Sequence, residues 1–268
     1  AVSLRLGAGS TFDPPGKAGL ALVAARLVFG DEQLLSYLAD IGARVTSSAH
    51  DAPGSYFHRE YFDMSIQFLP DHLDGILEVL SRALLRRHWT DEELNRVRLE
   101  LTEQMAAFSG DPSWVAKEKA LRLLDSSWHP PFGTADSLES LTLEDLRRFV
   151  TDHIVGEAIT IGLAHPADAP SRLAALAESF STLPGGGLAR PAGPTFSSLE
   201  QKRDLVAMEG KTQAEILVAV PAVSYDHPDA LPLRMLSYII GETGYAGRLG
   251  KRLVNTGLSY SVYAVPHL

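Results

Sequence analysis

The sequence contains no cysteine, which excludes a disulfide framework, a thiol nucleophile and a thiolate metal site. It also has no apolar run of the roughly 18 residues that a membrane-spanning helix requires. Its first residues lack the basic and then apolar pattern of a signal peptide. We therefore expect a soluble protein with no membrane span. The compartment stays open, because the chain starts at Ala1, inside a strand-like segment and without an initiator methionine.

Basic residues are scarce relative to acidic ones. The chain has 24 lysines and arginines against 33 aspartates and glutamates, a formal net charge of −9. This balance disfavours a nucleic-acid partner and is compatible with basic peptide ligands. A hydrophobic content of 45% and a charged content of 21% are typical of a globular protein. The 268 residues would fill one large domain or one and a half of medium size.

The histidines are too far apart to form a zinc-binding helix. Two imidazoles hold one zinc ion from a helix when they lie four residues apart, on one face. No two of the nine histidines have that spacing; they occupy positions 50, 58, 72, 88, 129, 153, 165, 227 and 267. We interpret His129 and the others as turn or surface residues.

The segment 13–30, DPPGKAGLALVAARLVFG, organises the rest of the chain. The strand-like residues before it end at Gly9-Ser10, and a turn at Asp13-Pro14 leads through Gly16-Lys17-Ala18-Gly19-Leu20-Ala21 into an apolar helix that is typical of a buried core. This succession resembles the catalytic helix of the insulinase/pitrilysin zinc peptidases. In that family the helix carries the motif H-x-x-E-H, whose two histidines bind zinc and whose glutamate polarises the attacking water.

The resemblance stops where the catalytic residues should be. The two histidine positions correspond to Leu22 and Arg26, and the glutamate position to Ala25. Leucine and alanine cannot bind a metal, and the fixed charge of arginine repels a divalent cation. The family's remaining ligand, a glutamate on a later helix, corresponds to Glu103. We therefore predict no catalytic residue and no bound zinc, although active relatives require zinc.

The pattern of apolar residues predicts an alternation of strands and helices through the first two thirds of the chain. Thr90 and Glu93 have the spacing of a capping box at the start of a long helix. The turn at 128–133 and the Leu-Thr-x-x-Asp-Leu pattern at 141–146 also resemble the family. Strands are predicted at 2–6, 43–49, 56–69 and 158–166, and helices at 20–30, 31–41, 71–88, 91–108, 113–125 and 171–183. A further helix is predicted to open at 141–146.

A stretch rich in glycine and proline separates this unit from a second copy of its beginning. The strand-like residues 214–220, the Asp-His-Pro turn at 226–228 and the helix at 231–240 repeat the order of the first unit. We therefore predict three regions. They are a first insulinase-like unit at 1–185, a linker at 186–198, and the start of a second, incomplete unit at 199–268.

The second copy resembles the family in its own right. Residues 241–262 resemble a signature in which an arginine and a tyrosine reach over the cleft, bind substrate and stabilise the developing oxyanion. Tyr260 stands at the tyrosine position. Val254 replaces the arginine, although Arg252 or Arg248 could take its role after a shift in register. The alternative interpretation is that the arginines are surface charges and that Tyr260 is a half-buried strand residue, with no contact to substrate.

The resemblance implies an α+β fold of duplicated two-layer units, each a sheet with helices on one face. It also implies a non-catalytic homologue that pairs with a catalytic insulinase-like peptidase, or with itself, and helps to bind extended peptides. Families of this type contain such inactive members, including a subunit of the mitochondrial processing peptidase. A structural scaffold without a peptidase role is the second hypothesis, and an active zinc metalloendopeptidase is the third.

Overall fold

A four-stranded antiparallel sheet forms the frame of the protein. The computed structural model describes residues 1–50, 59–125, 128–166, 169–187, 202–242 and 245–266. The strands follow the order β2-β3-β1-β4 across the sheet. Their bounds are Val2–Leu6 for β1, Arg44–Ser47 for β2, Phe62–Gln67 for β3 and Ile159–Leu163 for β4.

The central strand β1 alternates between core and solvent, as its sequence predicts. Val2, Leu4 and Leu6 are buried and the residues between them are exposed. Leu4 lies opposite Met64 of β3 on one side and opposite Ile161 of β4 on the other. Because side chains on neighbouring strands share a face, these apolar residues form one continuous buried surface.

The first helix, α1, spans Leu20–Phe29 and is the centre of the core. All ten of its residues are buried, which confirms the expectation from its nearly unbroken apolar sequence. Gly19 precedes it with a φ of +94°, and a Cβ there would lie 2.7 Å from the carbonyl oxygen of Phe132. Only glycine fits this turn, so Gly19 fixes the direction in which the chain enters α1.

The described residues contain eight more α-helices. Three of them begin with a capping box in which a threonine hydroxyl and the side chain three residues later bond each other's backbone N–H groups, including the predicted pair Thr90 and Glu93. The helices are α2 (Glu32–Asp40), α3 (Leu73–Leu85), α4 (Asp91–Ser109), α5 (Pro112–Leu124), α6 (Ala135–Ser140), α7 (Leu143–His153), α8 (Ala169–Ser179) and α9 (Ala230–Ser237).

Several elements are shorter than the sequence pattern predicts. The helix predicted at 71–88 begins at Leu73, after a 3-10 turn that Pro70 opens, and ends at Leu85. The strand predicted at 56–69 is regular only over Phe62–Gln67, and its first residues lie outside the described part. Most of the predicted linker, 186–198, lies outside it as well.

The described residues from 202 to 266, where the start of a second unit is predicted, contain few regular elements. The predicted helix is present as α9, which continues into a π-helical turn at Tyr238–Glu242. The strand predicted at 214–220 is not formed, because no described residue pairs with it. Many apolar side chains are exposed here: Leu205, Ile216, Val218, Val220, Leu231, Met235, Leu236, Ile239, Leu258 and Val265. Among the described residues, no helix has the length and apolar character that crossing a bilayer requires.

Candidate functional site

A buried arginine stands on the face of α1 where the resemblance implies a zinc site. Arg26 is 3% exposed. Its Nε donates a hydrogen bond to the carbonyl oxygen of Ala49 at 2.8 Å, and another of its nitrogens donates to Oε1 of Gln104 at 2.6 Å. The third nitrogen lies 3.7 Å from Oε2 of Glu100. The guanidinium therefore joins α1 to α4 and to the chain that follows β2.

The residues of α4 that contact Arg26 do not include Glu103, which the family resemblance assigns to the remaining ligand position. Glu103, assigned to the remaining ligand position, lies exposed on α4, whereas Glu100 and Gln104 are half-buried and reach Arg26. Periodicity explains the difference, since neighbouring helical residues differ by about 100° and the buried residues Val97 and Leu101 mark the inner face. The same periodicity, applied to the sequence, could have found both partners.

His50 lies beside this arginine and is held in the neutral form. Its Nδ1 lies 3.4 Å from the hydroxyl of Ser47. Burial of part of the ring, together with the positive charges of Arg26 and Arg96, lowers the pKa of His50 to about 4. A neutral imidazole is a possible metal ligand, but a guanidinium next to it opposes cation binding.

The lowered pKa of His50 predicts a loss of stability in mild acid. The unfolded chain protonates its histidines near pH 6.5, whereas folded His50 resists protonation until about pH 4. Stability from this residue is therefore complete above pH 6.5 and is lost as the pH falls towards 4. We expect Arg96→Gln to raise the pKa of His50, measured by NMR titration. An unchanged pKa would contradict the assigned role of Arg96.

A second polar cluster fixes the beginning of α1. The side chain of Asp13 is fully buried, and its two oxygens accept hydrogen bonds from the backbone N–H groups of Gly19 at 2.8 Å and Ala21 at 2.7 Å. Nε2 of His129 lies 3.0 Å from the carbonyl oxygen of Ser10 and 3.3 Å from Asp13. Because both of these are acceptors, Nε2 carries a proton and donates it.

His129 therefore has a structural role that the sequence interpretation missed. It lies in the predicted turn, and its ring also connects this turn at 128–133 to the strand-to-helix connection that leads into α1. Burial raises the pKa of Asp13, and the hydrogen bonds from His129 and the two N–H groups oppose this change. The sequence carried one signal, since both residues belong to family-like turns.

The three residues predicted to bind substrate are all exposed. Tyr260 is 87% exposed, and Arg248 and Arg252 also face solvent. Arg252 lies in a π-helical turn at Gly250–Val254, with Val254 at its end. Their role in substrate binding stays a prediction.

The residues on α1 do not fit a zinc ion. Leu22 and Ala25 are fully buried and offer no lone pair, while Arg26 fills the space between α1 and α4 with its own positive charge. Within the described ranges, no three histidine or acidic side chains are placed to share a metal. This chain therefore derives no chemistry from a metal at this position.

Comparison with known proteins decides the family. The model of the insulinase family, peptidase family M16, matches residues 1–123, and the model of the peptidase M16 inactive domain matches residues 140–268. Together they leave only residues 124–139 unmatched. The chain belongs to the M16 family. This confirms the resemblance seen in the sequence.

The matched proteins are distant in sequence and share the fold. The chain is 21% identical to the Helicobacter pylori protein named "Non-peptidase homolog YmxG", over 98% of this chain and 61% of the relative. It is 18% identical to a Pseudomonas fluorescens structure described as a peptidase M16 inactive domain, with a TM-score of 0.75, covering 98% of this chain and 64% of the other. A chain of Complex III from Candida albicans matches with a TM-score of 0.54 and 16% identity, over 73% and 44% of the two chains.

These matches confirm the α+β fold, and they show that the chain corresponds to only part of its relatives. The chain spans less than two thirds of the length of the M16 relative from Helicobacter pylori. It is an M16 homologue without the zinc-peptidase motif, since the helix that would carry H-x-x-E-H is complete and its ligand positions hold other residues. The boundaries predicted at 185 and 198 stay predictions.

Proposed function

We propose that this chain is a non-catalytic M16 homologue that pairs with a catalytic insulinase-like metalloendopeptidase and contributes to peptide binding. The observation that carries the proposal is Arg26, a buried and fully engaged cation where a zinc peptidase needs a histidine. The name of the Helicobacter pylori relative, a non-peptidase homolog, supports the same view. Loss of catalysis with retention of the fold is expected of a subunit that serves an active partner.

Peptide binding requires no metal. Extended peptides bind proteins by adding a strand to the edge of a sheet, where backbone hydrogen bonds provide affinity. Strand β2 is one edge of the sheet, and Ala49, which accepts a hydrogen bond from Arg26, lies two residues beyond its end. The excess of acidic over basic residues in the whole chain favours basic peptides as ligands.

The test is a reconstitution with an M16 peptidase from the same organism that carries an intact H-x-x-E-H. We expect this protein to be free of zinc and inactive alone, and to raise the rate at which the partner cleaves peptides. Metal content is measured by mass spectrometry and cleavage with fluorogenic peptides. Near-stoichiometric zinc together with cleavage by the protein alone would overturn the proposal.

Tyr260 provides a sharper prediction within this assay. If its ring contacts the bound peptide, Tyr260→Ala should reduce the stimulation of the partner by roughly tenfold, the usual effect of truncating a contact aromatic. Tyr225 is a matched control, because it is 78% exposed and lies outside the family signature. Tyr225→Ala should leave stimulation unchanged. Equal effects of both substitutions would argue against a specific role for Tyr260.

A scaffold subunit is the second candidate. The exposed apolar side chains between Leu205 and Val265 favour it, because large exposed apolar patches mark surfaces that assemble with other polypeptides. The similarity to a chain of Complex III shows a shared fold and is compatible with this role. Inactivity both alone and with the peptidase partner would favour the scaffold.

A further inference from the structure

The chain that follows the predicted linker returns to α5. Nζ of Lys202 donates a hydrogen bond to the carbonyl oxygen of Leu123 at 3.0 Å, and Oδ2 of Asp204 lies 3.5 Å from Nζ of Lys119. Lys119 and Leu123 both belong to α5. The two contacts therefore join parts of the chain that lie on opposite sides of the predicted linker.

The spacing of these contacts shows how the segment runs. Lys119 and Leu123 are four residues apart, so they lie on one face of α5 and about 6 Å apart along its axis. In an extended chain, two residues with the separation of Lys202 and Asp204 lie on one side, about 6.6 Å apart. The two spacings match and the order is reversed. Residues 202–204 therefore run antiparallel to α5 along a single face.

The exposure of the next residues continues this pattern. Leu205 is 91% exposed, whereas Val206 is 42% exposed and Met208 is half-buried. Alternation with a period of two is expected when one side of an extended segment faces a surface. Two further residues of the segment correspond to four residues back along the helix, which brings Val206 to the level of Val115. We call residues 202–208 the strap.

Both polar contacts of the strap depend on charge. The last carbonyl groups of a helix lack an intrahelical partner and carry partial negative charge, and Lys202 supplies a donor and a positive charge there. Oδ1 of Asp204 accepts a hydrogen bond from the backbone N–H of Leu205 at 2.9 Å, which leaves Oδ2 to face Lys119. Because these charges are exposed, salt screens them.

The buried core does not hold this part of the chain in place. Among the described residues, the core cluster that surrounds α1 takes no side chain from beyond Leu183. Opening of the contacts with α5 would therefore leave the first unit folded. Such an opening does not involve a peptidase partner, so it is independent of the proposed function.

We propose that the strap is a reversible clasp that docks the chain beyond the linker onto α5, and that its charges set the docked fraction. The side chains of Lys119 and Asp204 are 49% and 40% exposed. An exposed ion pair shifts an equilibrium by up to about fivefold. The clasp is therefore weak enough to open and close, and salt favours the open form.

Spin labels measure the docking directly. The chain has no cysteine, so two introduced cysteines carry the only labels. Ala106 is exposed on α4 and Leu205 on the strap, and cysteine at both positions leaves the charges of the clasp unchanged. The full chain should give one short, narrow distance at low salt, and a second, longer distance should appear at about 1 M salt. An identical distance distribution at both salt concentrations overturns the proposal.

Charge reversal tests which residues form the clasp. Asp204→Lys sets two lysines opposite each other and should raise the ratio of long to short distances by at least about fivefold. Adding Lys119→Asp to Asp204→Lys restores an ion pair and should restore the native ratio. Glu209→Lys is the matched control, since it makes the same change of charge at an exposed residue just beyond the strap.

A thermal melt first shows that each variant folds. Recovery of the native ratio in the double variant, with no effect of Glu209→Lys, supports the clasp. If the double variant stays as open as Asp204→Lys, or if the substitutions at 204 and 209 have equal effects, the proposal is overturned.

Discussion

Arg26→Ala is expected to destabilise the protein by about 3 kcal/mol, because the substitution leaves buried polar partners without a donor and opens a cavity. The carbonyl oxygen of Ala49 and the amide oxygen of Gln104 lose their hydrogen bonds, and the carboxylate of Glu100 loses its cation. Urea unfolding at neutral pH measures the change. The stability of Arg26→Lys should lie between those of the native protein and Arg26→Ala, since lysine keeps the charge but lacks the several donors of the guanidinium.

Glu103→Ala provides the control for the Arg26 prediction. Glu103 lies on the same helix as Gln104 but is exposed, so its removal should change stability by less than about 0.5 kcal/mol. If Glu103→Ala cost as much as Arg26→Ala, the assignment of Glu100 and Gln104 as the residues that engage α1 would be wrong. The comparison therefore also tests the register of α4.

Asp13→Ala should cost about 3 kcal/mol, because one buried side chain satisfies three donors. The N–H groups of Gly19 and Ala21 have no intrahelical partner at the start of α1, and His129 donates to the same carboxylate. Asp111 is the matched control. It accepts one bond from Ser113 at an exposed helix start, so Asp111→Ala should cost only about 1 kcal/mol.

The pH dependence separates the charge of Asp13 from its hydrogen bonds. Burial raises the pKa of Asp13, so the folded protein binds this proton more tightly than the unfolded chain does. The resulting stability is present in acid and is lost as the pH rises above about 4, the ordinary range of a carboxyl group. Asp13→Asn cannot titrate, so its deficit relative to the native protein should shrink as the pH rises. A deficit that grows would show that the carboxylate form is the favoured one.

The sequence predicts best what periodicity and local chemistry determine. The alternation of β1, the burial of α1 and the capping box at Thr90 follow from patterns within a few residues, and the structure confirms all three. Family-like turns led from these elements to the M16 assignment, which the family models confirm.

Long-range contacts are what the sequence does not reveal. The hydrogen bond between Asp13 and His129 joins residues far apart in the chain, and no local sequence pattern predicts it. The contacts of Glu100 and Gln104 with Arg26 join α4 to α1 across many residues of chain, and the spacing to a turn that assigns Glu103 to a ligand position does not reveal them. The strand predicted at 214–220 failed for a related reason, since a strand forms only where a partner strand is present.

Arg26 also changes how this fold responds to its surroundings. A protein held together by a bound metal gains stability in proportion to the logarithm of the free metal concentration, and loses it when a chelator competes. Here the cation is covalently part of the chain, so its local concentration never varies. The stability that this position contributes should therefore be the same in metal-starved and metal-rich cells.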